Sequence, residues 1–289
     1  MPTRGVRMVT DPPRLRTGPG RALSPFHRRI RITPCMRPAE LLALVYFVSF
    51  GAAALALSRR RARWAVTLGW AAGGAAITST AMLVPGMLRD WWLLAALPVA
   101  YWAPAPLTAD ANVRLERWLL AVDDRLGLTR GGPTAGGLLE LAYLLVYPIV
   151  PVGLLAVIAS RPEFAADYCL ALLLAVLPCY GLLPLLSTRP PRVLVPSEIS
   201  AARTGAATVR RANVRVLGAC SNAWNTLPSG HAAGAAAVAV MVARSGSPWA
   251  PVFVVLAVGI ALGTVRGRYH YSVDTILGVA LGVLAGIGV

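Results

Sequence analysis

The sequence is a succession of apolar runs about twenty residues long, all but the last closed by arginine or proline, and this pattern leaves few folds open. The runs fall at about 39–58, 64–85, 137–159, 165–187, 225–243, 249–265 and 271–289. A helix satisfies its own backbone hydrogen bonds in lipid, and about twenty apolar residues cross a hydrocarbon core. The two-residue alternation of a membrane β-barrel is missing. Charged residues make up 14% of the chain, against roughly 25% in soluble domains. The fold class expected is therefore all-α, a polytopic transmembrane helical bundle.

One further apolar segment, 91–106, is short and carries Pro98, Pro104 and Pro106. It is either another crossing or a segment that only dips into the membrane, so seven or eight spans are expected. The organisation expected is a basic N-terminal segment, 1–35, disordered or interfacial; N-terminal transmembrane helices, 36–108; an interfacial amphipathic helix and loop, 109–135; and a membrane core, 136–289, that carries the chemistry. Met36-Arg37-Pro38 opens the first run directly, so the start is either Met1 or Met36.

The net charge is +16, and every basic residue is arginine. Guanidinium forks bind phosphate, which suits a phosphate-bearing lipid; the ordinary positive flanks of membrane helices give the same count. The charge lies between apolar spans, not on a polar domain, so the bilayer and a lipid phosphate are the partners expected and nucleic acid is not. Cys35, Cys169, Cys179 and Cys220 show no CxxC spacing, and two lie inside apolar runs. They are expected to pack, with no metal site, disulfide framework or cofactor indicated. His27, among N-terminal arginines, is assigned no role.

Between residues 110 and 126 the pattern changes. Leu115, Trp118, Leu119, Val122 and Leu126 recur at helical spacing, with Arg114, Glu116, Arg117, Asp123, Asp124 and Arg125 between them. This predicts an amphipathic helix lying in the interface, its carboxylates on a solvated polar face.

The chemistry is expected in residues 224–274. Trp224-Asn225-Thr226-Leu227-Pro228-Ser229-Gly230-His231 opens one apolar run, and Arg266-Gly267-Arg268-Tyr269-His270-Tyr271-Ser272-Val273-Asp274 opens another. One crossing out and one back puts His231 and His270 on the same membrane face. Pro and Ser suit a first helical turn, whose free N–H groups form an anion site beside His231. Asp274 follows His270 by four residues, on one helical face, where a carboxylate fixes the imidazole tautomer. Arg189 and Arg192 leave one helix, and Arg266 and Arg268 another. Two histidines, a carboxylate and several guanidiniums suit in-line phosphoryl transfer.

These residues resemble the second and third motifs of the type 2 phosphatidic acid phosphatase superfamily, membrane lipid phosphatases related to vanadium haloperoxidases. The resemblance covers roughly residues 137–289 and implies a six-helix phosphatase-type core. It implies His270 as the nucleophile forming a phosphohistidine without metal, Asp274 orienting it and His231 as general acid. Ser229 and the Gly230 N–H would hold phosphate oxygens, together with Arg189, Arg192, Arg266 and Arg268.

Two departures stand out. The family's first motif is lysine, six residues, then Arg-Pro; Arg189-Pro190 fits, but the lysine position is Leu182. Its third motif begins Ser-Arg, where this chain has Gly263-Thr264, so the arginine's task passes to Arg266 or Arg268 or is lost. Pro190-Pro191-Arg192 with Arg268-Tyr269-His270-Tyr271 is more similar to the inositol phosphorylceramide synthase-like subgroup, in which Arg192 would be the first-motif arginine. The leading expectation is hydrolysis of a lipid phosphomonoester or pyrophosphate. The alternatives are transfer of a phospho-head group to an alcohol, and a non-enzymatic membrane protein with an eroded site. The resemblance places the protein in a bacterial inner membrane, its site facing the periplasm; seven spans would set the Arg59–Arg63 cluster on the opposite, positive-inside face.

Overall fold

Arginine, proline and glycine stand at or next to most helix ends, although Pro98, Pro151 and Pro178 lie inside helices. The computed structural model describes residues 36–57, 61–108, 110–127, 133–194 and 206–289. The N-terminal segment with His27 and Cys35, Arg59 and Arg60, the turn Arg130-Gly131-Gly132, and Arg203 lie outside them. Among the described residues the protein is all-α, with twelve helices and no strand. The first group is α1 (Pro38–Leu57), α2 (Arg61–Ala81), α3 (Trp92–Trp102) and α4 (Val113–Leu126). Then come α5 (Pro133–Leu144), α6 (Val146–Ser160), α7 (Ala165–Gly181), the single turn α8 (Pro191–Leu194) and α9 (Ala206–Cys220). The chain closes with α10 (Gly230–Arg244), α11 (Ala250–Arg266) and α12 (Ser272–Gly288).

Pro38–Ala56 and Pro162–Gly181 are each long and apolar enough to cross a membrane, and the pair Gly136–Leu144 and Val146–Ser160, bent by 57°, makes a third if taken as one span. This is fewer than the seven or eight runs. The apolar helices α10, α11 and α12 have 15, 17 and 17 residues, about 22–26 Å at 1.5 Å per residue. The reason is local: the run at 225–243 yields its first residues to an extended lead-in ending at Ser229, and the run at 165–187 leaves helix after Gly181. Both lost ends become loops around the histidines.

The segment 91–106 does not double back. At one end Arg37 pairs with Asp90, and Arg89 donates to Glu40 at 2.6 Å. Further along, the Tyr46 hydroxyl donates to the Ala100 carbonyl at 2.8 Å. Against α7, Cys169 Sγ donates to the Asp90 carbonyl at 3.6 Å, and Tyr101 packs on Tyr180 with ring centroids 5.4 Å apart. So α3 runs alongside α1 and α7 in the same direction. Trp70 of α2 stacks on Trp102, which brings the N-terminal part of α2 toward the end of α3 that approaches the histidines. That removes the seven-span parity argument for placing the Arg59–Arg63 cluster opposite the site.

The closest helix pair is α10 with α12. A Cβ added at Gly278 would sit 2.5 Å from the Ser229 carbonyl oxygen, and one at Gly286 would sit 2.7 Å from Val240 Cγ1; Gly282 between them abuts the Ala233 carbonyl. Glycine every fourth residue makes a flat stripe that lets two backbones touch, the usual device of membrane helix packing. In α7, Cys169 and Cys179 are buried free thiols.

The amphipathic helix α4 is as long as its leucine spacing predicts, but its buried side differs. Trp118 and Leu126 are 54% and 50% exposed, whereas Glu116, Leu119 and Asp123 are buried. Residues 116, 119 and 123 share a face at i, i+3 and i+7. Glu116 and Asp123 are therefore not on a solvated face, whereas Asp124 is exposed as its place in the pattern predicts. Glu116 accepts from the Arg189 backbone N–H at 2.7 Å and from its Nε and Nη2 at 3.0 and 2.8 Å. Asp123 Oδ1 accepts from the Ser272 N–H at 2.7 Å and its hydroxyl at 2.5 Å. The outcome is physical: buried N–H groups of two loops need acceptors, and α4 supplies them.

Candidate active site

The site is assembled where α10 and α12 begin. Ser229 caps α10, its hydroxyl accepting from the Ala232 N–H at 3.4 Å, while its own N–H donates to the Asp274 carbonyl at 2.9 Å. This bond ties the first turns of both helices together. Gly230 follows with no room for a side chain, since a Cβ would lie 2.6 Å from a Tyr180 ring carbon. His231 then stands in the first turn of α10.

His270 is held from the end of α11, its N–H donating to the Thr264 carbonyl at 3.0 Å. His270 Nε2 lies 3.1 Å from His231 Nδ1, and His270 Nδ1 lies 3.7 Å from Asp274 Oδ2. The latter is an ion-pair distance, longer than a hydrogen bond. With the His270 proton on Nδ1, facing the carboxylate, Nε2 accepts and His231 Nδ1 donates. Asp274 is fixed in turn: Oδ2 accepts from Asn225 Nδ2 at 2.7 Å and from the Tyr271 N–H at 3.1 Å. Asn225 also donates through its backbone N–H to the Thr188 carbonyl at 2.8 Å, joining the loop after α7 to the same cluster.

Of the four arginines expected here, one reaches the histidines. Arg192 lines the small pocket that holds His231 and His270, with its guanidinium carbon 5.6 Å from the Tyr269 ring centre. Arg189 points elsewhere, clamped to Glu116. Arg266 is exposed and lines a separate groove between α11 and α12. Arg268 is buried, takes a left-handed φ of 60°, and acts electrostatically on Asp123; its carbonyl accepts from the Arg192 N–H at 3.0 Å. Ser229 and Gly230 support the site from behind. The Gly230 N–H donates to Thr226 Oγ1 at 3.3 Å, and neither residue lines the pocket of the two histidines.

The departures from the motif have a spatial reading. A Cβ at Gly263 would lie 2.5 Å from the Leu139 carbonyl oxygen, and Thr264 is fully buried, its hydroxyl 2.8 Å from that of Thr275. Neither position has space for an arginine. Leu182 begins the turn after α7.

Several lining residues were not anticipated: Tyr101, Tyr143, Trp224, Asn225, Thr226 and Tyr269. Tyr143 and Tyr269 stack with centroids 3.9 Å apart, and Tyr143 lies 5.4 Å from the His231 ring. Behind them Glu140 accepts from the Tyr269 hydroxyl at 2.5 Å, Arg210 at 2.5 Å and Asn213 at 2.7 Å, so α5 and α9 brace the residue before His270. The signal for Asn225 and Tyr269 was adjacency to the motifs; Tyr143 had none.

Burial, with the Arg192 charge added, pushes His270 down to about 3, so it is neutral near pH 7. The hydrogen bonds from Arg189 hold Glu116 below the usual carboxylate range. Burial raises Asp123, against the opposing hydrogen bonds of Ser272. Among the described residues no group of three or more His, Cys, Asp or Glu is gathered closely enough to hold a metal ion.

A family model described as the PAP2 superfamily matches residues 113–287, from the first residue of α4 almost to the end of α12. No curated protein sequence and no solved structure matches the chain.

Proposed function

Because the chain belongs to the PAP2 superfamily, whose members are generally phosphatases and phosphotransferases, we propose that it is an integral membrane lipid phosphate phosphatase working through a phosphohistidine without a metal. The observation that carries this is the His231–His270 contact of 3.1 Å with Asp274 behind it and Arg192 beside it. Substrate phosphate replaces that contact and stands between the two rings. Neutral His270 Nε2 attacks phosphorus, the P–O bond to the lipid breaks, and His231, which takes up a proton as the anionic phosphate enters, gives that proton to the leaving oxygen. Asp274 steadies the imidazolium through Nδ1–H, and Arg192 neutralises the phosphoryl oxygens. Water then attacks phosphorus, losing its proton to His231 while the P–N bond breaks and inorganic phosphate leaves.

Hydrolysis is preferred to transfer onto an alcohol because the space directly beside the histidines, about 20 Å³, is of water size, and an alcohol acceptor would need a separate polar approach to the phosphorus. The aromatic wall of Tyr143, Trp224 and Tyr269 would suit a sugar-like acceptor, which is what favours the transferase reading. We place the protein in a bacterial inner membrane with the site on the periplasmic face; the family resemblance supports that side.

The test is phosphate release from a panel of lipid phosphomonoesters and pyrophosphates by the purified protein, with EDTA present. Release is expected from the wild type and not from His270→Ala, and acid-labile phosphate is expected on the protein after quenching. Full activity in His270→Ala would refute the mechanism. Release only when a polyol is added would establish the transferase instead.

A further inference from the structure

Beside the catalytic pocket lies a second cavity of about 460 Å³, within the roughly 300–1,000 Å³ of small-molecule sites. The two share Tyr101, Ser221, Thr226 and His231, so one runs into the other at the general acid. Away from that end the walls are apolar: Leu94 and Leu97 from α3, Val150 from α6, Leu172 and Val176 from α7. From Leu94 to Trp102 on α3, and from Leu172 to Tyr180 on α7, the lining spans eight residues of helix, about 12 Å. The cavity therefore runs about 12 Å along both helices, away from the level of the histidines and into the apolar part of the bundle. Pro98 and Tyr147 line it and are exposed, so it opens sideways between α3 and α6.

We propose that this cavity binds a single hydrocarbon chain of the lipid phosphate, entering from the leaflet on the site's side, with Leu94 and Leu97 of α3 as specificity-determining residues. The inference rests on the phosphatase reading. At about 30 Å³ per water-sized unit the volume holds roughly fifteen methylene-sized groups, one chain and not two. A chain fits because its only polar end would lie at the only polar end of the cavity, beside His231. The wall on α3 lies outside residues 113–287, so chain selection would be added to the family's catalytic segment by helices that precede it.

The experiment compares wild type, Leu97→Trp and, on the opposite wall, Val150→Phe, in nanodiscs, with alkyl phosphates of increasing length and with p-nitrophenyl phosphate, which has no chain. For the wild type, kcat/KM should rise with chain length and level off within about fifteen carbons. Either variant should lower kcat/KM for the long alkyl phosphates at least tenfold, the worth of about two buried methylenes, and leave p-nitrophenyl phosphate unchanged. Folded variants that turn over every chain length like wild type, or that lose the chainless ester equally, would overturn the proposal. Binding of hexadecyl phosphonate is measured alongside. If the wild type releases phosphate from nothing, yet binds the phosphonate and loses that binding in Leu97→Trp, the chain site stands and the phosphatase reading falls.

Discussion

The glycine stripe on α12 allows a quantitative test of how closely the site depends on helix packing. In Gly278→Ala the new Cβ would lie 2.5 Å from the Ser229 carbonyl oxygen, 3.2 Å from Ala232 Cβ and 3.3 Å from the Ala233 nitrogen. Ordinary contact begins near 3.4 Å, so the difference between 3.4 and 2.5 Å, about 0.9 Å, must be taken up by moving α10 away from α12. The contacting atom is backbone, so no side-chain rotation relieves it. Ser229 directly precedes Gly230 and His231, and His270 and Asp274 belong to the other side of the seam. The shift is thus passed to the 3.1 Å contact between the two histidines. A misplacement of about 1 Å in a reacting group costs about 100-fold in rate. Gly278→Ala should therefore lose about 100-fold in kcat for p-nitrophenyl phosphate, with an overpacking cost of about 1–3 kcal/mol seen as a lower melting temperature in detergent. The matched control is Gly288→Ala on the same helix, where an added Cβ meets nothing within 4 Å. A Gly278→Ala rate within threefold of wild type, or an equal loss in the control, would refute the argument.

Two other expectations follow from the site and its placement. Because His270 is held well below the ordinary imidazole value by burial and Arg192, its ring should stay neutral as pH falls from 8 to 5, and the unfolded chain binds the extra proton over that window, so stability rises with pH there; ring ¹⁵N signals assigned by loss in His270→Ala should not titrate, and a midpoint near 6.5 would contradict this. Single cysteines at Arg63 and at Trp249, in a background without the four native cysteines, report orientation: with the site outward, an impermeant maleimide should label intact cells at position 63 and not at 249, and the reverse pattern would put the site inside.

The sequence carried the helical class and the meeting of His231, His270 and Asp274, because a helix start can be read from Pro-Ser-Gly and a shared face from a four-residue spacing. It did not carry the choice among arginines. Arg189, in the loop after α7, and Arg192, in α8, are three residues apart, and which one faces the histidines depends on Glu116, distant in sequence, claiming the first. The same contact hid the role of α4. Leucine spacing identified an amphipathic helix, but it could not show that two carboxylates i and i+7 apart would be buried against backbone N–H groups of loops that form later in the chain. Nor could it show that crowding against Leu139 closes position 263 to any side chain. The apolar runs overstated helix length for a related reason: apolar residues next to the site were spent on loops.

The two acceptors on α4 also set a rule for what this helix tolerates. Glu116 holds the loop after α7 and Asp123 holds the first residue of α12, so the helix fixes the distance between two separate parts of the site. Substitutions at Trp118 or Leu126, on the exposed side, leave that distance alone. An insertion or deletion of one residue between 116 and 123 does not, since it turns one carboxylate by about 100° around the helix axis relative to the other. The N–H and hydroxyl of Ser272 would then be buried without an acceptor, at about 1–3 kcal/mol for each group. α4 can drift freely in the identity of its outward residues, but its length between the two acids is locked.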